Sequence, residues 1–236
     1  MFRRATVDRW WELTRAYKEY RDPRTPSVLK DFGYMELFAL IDATRPASVL
    51  ELGYGHNVSL AQRYEDRIDM TLVDDYQELG YWPSRAWWEE QHRAATSGLS
   101  RTRVVRALLG QDDGLPEQSF DMIVSVSVLE EVTVDTLRRI LQRAYRLLKP
   151  GGIFANSCDL QIANTDHFDA YVEAHRACGF ESDPPPPSSV TMPEVQRLLL
   201  EAAPVVMCHY QGADPEERTY WGHFGTVFSV ARRPGA

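Results

Sequence analysis

A pair of glycines and a scatter of acids are the residues that could do chemistry. In "ELGYGHN" Gly53 and Gly55 flank Tyr54 directly behind an apolar run. Glycine there lets the backbone turn sharply and approach a ligand closely, and a helix starting near Asn57 or Val58 would aim its amide groups at a polar group. Asp74 follows 21 residues after Gly53, close to the roughly 20-residue spacing at which an acid reaches a ribose diol. Asp75 is adjacent and should point away. A lone GxG is weak evidence, since strand-to-helix turns use glycines for packing alone. Further along, Glu130, Glu131, Asp159, His167 and His223 are groups able to move a proton during transfer chemistry. The spacing of Asp159, Asp166 and His167 also permits a divalent metal; hydrogen bonding in a surface loop is the commoner use, and no metal is assigned.

The elements that must position these residues follow from the apolar pattern. From Ser48, short apolar runs alternate with longer amphipathic ones: "SVLEL", "MTLVD", "RVVRALL", "FDMIVSVSV" and "GGIFANSCD" as strands, with "VSLAQRYED" and "VDTLRRILQRAYRLLK" as helices. The second helix places Leu137, Leu141, Ala144 and Leu148 on one face. Such alternation builds strand–helix crossovers around a parallel sheet covered on both faces. "FDAYVEAHRAC" and "MPEVQRLLLEAA" read as helices, and "PVVMCHYQ" and "GTVFSVARR" as a closing antiparallel pair. The expected fold is α/β, a doubly wound, mainly parallel seven-stranded sheet of Rossmann-like type. Residues 1–45 read as a helical cap or lid, and 46–236 as the ligand-binding domain.

Composition narrows the partners. With 236 residues, 44% hydrophobic, a formal charge of -8 and a pI near 5.3, the chain has room for one large core and lacks the broad basic field that binding a phosphate backbone needs. A small molecule is the better expectation. Cys158, Cys178 and Cys208 show neither paired nor metal-ligand spacing, which suits reduced thiols in the cytoplasm. The N-terminal "MFRRATVDRWWELTRAYKEY" has no apolar stretch of signal-peptide length, and no membrane association is expected.

The ordered series "VLELGYG", "LVDD", "LPEQSFDMIVSVSVLEEV" and "LLKPGGIFANS" resembles the class I S-adenosylmethionine-dependent methyltransferase family over Val49–Ser157. The resemblance implies methyl transfer from S-adenosylmethionine, with S-adenosylhomocysteine as product. It also implies that Glu51 lies near the methionine amino group of the cofactor. Gly53, Tyr54 and Gly55 form the loop along its amino-acid and ribose parts, and Asp74 binds the ribose. Asp112 falls in the adenine segment, and Ser125 faces the methionine portion. Glu131, Asp159 and His167 are the catalytic candidates. Asn57 stands where the family has a third glycine, and Glu131 where it often has histidine. Asparagine tolerates left-handed backbone better than most residues, so the loop is expected to keep its shape. His56 stays open between an exposed loop residue, a cofactor contact and a substrate contact.

The acceptor is expected to be a small molecule methylated at oxygen or nitrogen. Nucleic acid is not expected, since the segment after the fourth strand reads "SVSV" and not "NPPY". Tyr81, Trp82, Trp87 and Trp88 either wall the ligand site or pack against the body or a second copy in a homodimer. The departures at Asn57 and Glu131 also allow a non-catalytic cofactor-binding or scaffold protein.

Overall fold

The structure, a computed structural model, describes residues 2–4, 6–17, 20, 28–75, 84–111, 113–161, 166–182, 207–211 and 219–235. In chain order the elements are β1 (Phe2–Arg4), α1 (Val7–Ala16), α2 (Val28–Thr44), β2 (Ser48–Leu52), α3 (Ser59–Tyr64), β3 (Asp69–Asp74) and α4 (Arg85–Thr96). They continue with β4 (Arg103–Arg106), β5 (Phe120–Val126), α5 (Val134–Leu147), β6 (Leu148–Gln161), α6 (Asp166–Ala177), β7 (Met207–Gln211) and β8 (Thr219–Arg232).

The strands form one sheet in the order β1-β8-β6-β5-β2-β3-β4, with β7 paired to β8. The β2/β3, β3/β4, β2/β5 and β5/β6 pairs are parallel, and every pair made by β8 is antiparallel. All seven expected strands are present. β1 is added at the edge, with Phe2 opposite Ser229; three residues are too short to show an alternating pattern. The chain runs outward from β2 to β4 and returns through β5 to β6, so strand order reverses between β2 and β5. A crevice at such a point is the usual ligand site in open parallel sheets.

Successive residues of a strand point to opposite faces, and the core divides accordingly. Leu50, Ile123 and Phe154 pack with α5 and α6, while Val49, Val124 and Ile153 pack with α1, α2 and α3. Each fully buried leucine or isoleucine contributes roughly 1.5–3 kcal/mol relative to exposure. In α5, Leu137, Ile140, Leu141, Ala144 and Leu147 are buried, and the Thr133 side chain caps its start by accepting from Thr136 N. The helix ends at Leu147, two residues short of the expected span: Leu148 opens β6 and is buried there.

α2 rests on the sheet through Gly33, where a Cβ would stand 2.5 Å from Ser157 Oγ. Arg9 of α1 grips the buried Glu36 of α2 with two hydrogen bonds of 2.7 Å. The helices of the N-terminal segment therefore share a core with the strands that carry the site. Among the described residues, no helix is long and apolar enough to cross a membrane. Cys158 and Cys178 are free thiols. The expected helix "MPEVQRLLLEAA" lies outside the described residues.

Candidate active site

The glycine loop begins where β2 stops. Gly53 has φ +66° and donates its N–H to Val73 O at 2.7 Å. A Cβ at Gly53 would fall 2.6 Å from Val128, so glycine is what lets the segment after β5 close against the loop. Gly55, at φ +58°, donates its N–H to Asp74 Oδ2 at 3.0 Å. Asp74 thus closes the loop from the end of β3.

α4 builds a wall beside this turn. The buried Trp88 stands edge-on to His56, with ring centres 5.5 Å apart, and reaches within 3.7 Å of the place a Gly55 Cβ would take. Tyr54 is buried and edge-on to His92 at 5.0 Å. His92 Nε2 lies 3.8 Å from Asp74 Oδ1, and burial drives the His92 pKa down to about 3, so it is neutral. Only its helical spacing from Trp88 signals His92 in the sequence. Trp87 stacks on Trp88 at 5.6 Å, whereas Tyr81 and Trp82 lie outside the described residues.

Asn57 keeps the loop in shape by a different means from the one expected. Its backbone is not left-handed; its buried side chain is the working part. Asn57 Oδ1 accepts from Ser59 N at 3.0 Å and from Ser59 Oγ at 2.6 Å, at the entry to α3, and Nδ2 donates to Tyr20 Oη at 3.4 Å. A third glycine would lack all of these bonds. Asn57→Ala should destabilise the fold by about 1 kcal/mol, the usual net worth of such a hydrogen bond. Urea unfolding should show a lower midpoint with an unchanged slope.

Glu51 sits on the α2 face of β2 and is 1% exposed. Tyr34 Oη donates to its Oε1 at 3.0 Å. Its Oε2 is buried and has no hydrogen-bond partner among the described residues. Burial pushes the Glu51 pKa up to about 8. Ser125 of β5 is fully buried and in register with Leu52, next to the glycine loop. Tyr34 had no sequence signal, because its partner is 17 residues away on another element.

Beyond β5, and near the end of β6, lies a second polar group. Ser127, at φ +51°, donates Oγ to Asp159 Oδ2 at 3.1 Å, and Thr226 Oγ1 donates to Asp159 Oδ1 at 2.7 Å. The Asp159 N–H donates to Glu130 Oε1 at 2.7 Å. Of the adjacent glutamates, it is therefore Glu130 that meets Asp159, while Glu131 is exposed. His167 falls in the first turn of α6 and His223 in β8; their side chains lie outside the described residues, as does Asp112. Its neighbour Asp113 is a structural anchor: it accepts from Gly110 N and Leu115 N at 3.0 Å and pairs with Arg143 at 2.6 Å. Among the described residues, no group of three or more His, Cys, Asp or Glu side chains is arranged to hold a metal ion.

Residues 50–156 match the family model described as a methyltransferase domain. The chain is 30% identical over 137 residues to chondramide synthase of Chondromyces crocatus; the match takes in 57% of this chain and 3% of that protein. The [4+2]-cyclase SpnF superposes with a TM-score of 0.56 at 16% identity, covering 97% of this chain and 94% of that one. The N-methyltransferase NodS of Bradyrhizobium japonicum, in complex with S-adenosylhomocysteine, superposes with a TM-score of 0.50 at 16% identity, covering 96% and 98%. The fold is the Rossmann-like α/β fold of these solved structures, and residues 50–156 match the methyltransferase-domain model.

Proposed function

We propose that this chain is an S-adenosylmethionine-dependent methyltransferase acting on a small-molecule acceptor at oxygen or nitrogen. The observation that carries the reading is the reversal of strand order between β2 and β5, at whose end the Gly53–Gly55 turn is bonded to Asp74, with Glu51 and Ser125 on the two adjoining strands. These residues fit the cofactor. The buried, unpaired Oε2 of Glu51 suits an ammonium group, the turn admits no Cβ at Gly53, and Asp74 stands at the strand end from which an acid reaches a ribose.

When bound, the cofactor supplies an electrophilic methyl group on a positively charged sulfur. Glu51 would hold the ammonium, Asp74 the ribose, and Ser125 would line the methionine portion. Trp88 and His56 wall the loop and keep water from it, which aligns the reactants and protects the transfer. Asp159, steadied by Ser127 and Thr226, takes the proton from the acceptor's O–H or N–H as the acceptor attacks. His167 and Glu131 are the other proton-handling groups of the proposal. The net charge of -8 supports a small-molecule partner in place of nucleic acid or a membrane. A homodimer and a cytoplasmic setting complete the reading.

A second reading, cofactor binding without methyl transfer, is favoured by one finding: a protein named as a [4+2]-cyclase has this fold. The two are separated by incubating the protein with S-adenosylmethionine labelled in its methyl group. Separate arms hold pooled small-molecule alcohols and amines, protein, and nucleic acid. Label in the low-mass fraction is the expected result. Label in protein or nucleic acid alone contradicts the proposed acceptor class, and no transfer in any arm, with the cofactor bound, supports the second reading.

A further inference from the structure

Glu130 is a half-buried titratable residue, its Oε2 out of reach of solvent, that the proposed chemistry leaves unused. It stands in the turn after β5, while its partner Asp159 stands on β6, and the contact between them is a 2.7 Å hydrogen bond from Asp159 N to Glu130 Oε1. Both oxygens of Asp159 are held by hydroxyls from two other places, Ser127 after β5 and Thr226 on β8. Asp159 is therefore fixed through its backbone by Glu130 and through its carboxylate by Ser127 and Thr226. We infer that Glu130 is the positioning residue of the acceptor base, holding the Asp159 main chain so that its carboxylate stays between Ser127 and Thr226, facing the acceptor. This rests on the reading of Asp159 as the group that takes the acceptor's proton.

The pair has a further property. Two carboxyl groups this close cannot both ionise readily, and among the described residues none of the groups acting on Glu130 is a cation. Asp159 and Cys158 face it from β6, Tyr171 from α6, and Glu131 from its own turn. Burial and the nearby Asp159 push the Glu130 pKa up to about 8. Glu130 accordingly holds its proton more tightly than an ordinary carboxyl does.

The test is a carboxyl NMR titration of the whole chain, labelled with 13C at the glutamate and aspartate carboxyls, from pH 5 to 10. Wild type, Glu130→Gln and Glu130→Ala are compared. In the wild type the Glu130 resonance should titrate near pH 8, and the Asp159 resonance should show an inflection at the same pH. Glu130→Gln should remove both inflections while leaving the Asp159 amide shift in place, because glutamine still accepts the bond. Glu130→Ala should move that amide shift. Titration of Glu130 at the ordinary carboxylate value, an Asp159 inflection that survives in Glu130→Gln, or an unmoved amide in Glu130→Ala overturns the inference. If the alanine variant does not fold, the glutamine variant decides. The titration needs no ligand, so it is independent of whether S-adenosylhomocysteine binds; failure to bind sinks the proposed function and leaves the carboxyl pair to be judged by its own result.

Discussion

Asp74→Ala should weaken the binding of S-adenosylhomocysteine roughly 10- to 100-fold, measured by titration calorimetry. A hydrogen bond to a charged group is worth about 1.5–3 kcal/mol, and each 1.4 kcal/mol is about tenfold in affinity. The substitution acts twice. It removes the acid that would hold the ribose, and it leaves Gly55 N–H without the acceptor that closes the loop. Asp74→Asn keeps an acceptor for that N–H, so it should bind more weakly than wild type but more tightly than the alanine variant. Equal affinity in all three proteins would show that the ribose lies elsewhere.

Affinity should also climb with pH. In the unliganded protein Glu51 has its pKa raised from 4.5 to about 8 by burial, so it is neutral through most of that interval. An ammonium group pairs with the ionised form, and binding must expel the proton. Affinity for S-adenosylhomocysteine should then rise by up to about tenfold per pH unit from pH 6, levelling above about pH 8. Calorimetry in two buffers of different ionisation enthalpy should count close to one proton released at pH 6.5. Glu51→Gln should flatten the profile. The same linkage fixes the sign for stability: a carboxyl that holds its proton more tightly when folded favours the folded state at low pH. That contribution fades as pH climbs from about 4.5 to 8. A pH-independent affinity in the wild type would mean that Glu51 does not face the ammonium.

The sequence made the sheet legible because burial on both faces writes continuous apolar runs, and α5 because its apolar positions recur at helical spacing. β1 escaped notice since three residues carry no period. Within the site, the glycines and Asp74 were readable because the turn, the strand ends and their separation are local features. Tyr34 and His92 were not, since each meets its partner only after the helices α2 and α4 dock. Asn57 shows the limit from the other side: its type is plain in the sequence, but its use as a side-chain acceptor and donor depends on Ser59 and Tyr20 coming to it. The choice between Glu130 and Glu131 turned on which of two adjacent acids faces inward, a matter of turn geometry that spacing does not encode.

The central claim is that the methyl donor binds beyond the carboxyl ends of β2 and β5, and a crystal structure of the chain grown with S-adenosylhomocysteine tests it most directly. The account predicts the ligand's ammonium within hydrogen-bond reach of Glu51 Oε2, its ribose hydroxyls on Asp74, and its methionine chain passing Gly53 and Ser125. Ligand density elsewhere on the molecule, or an ammonium turned away from Glu51, would contradict it.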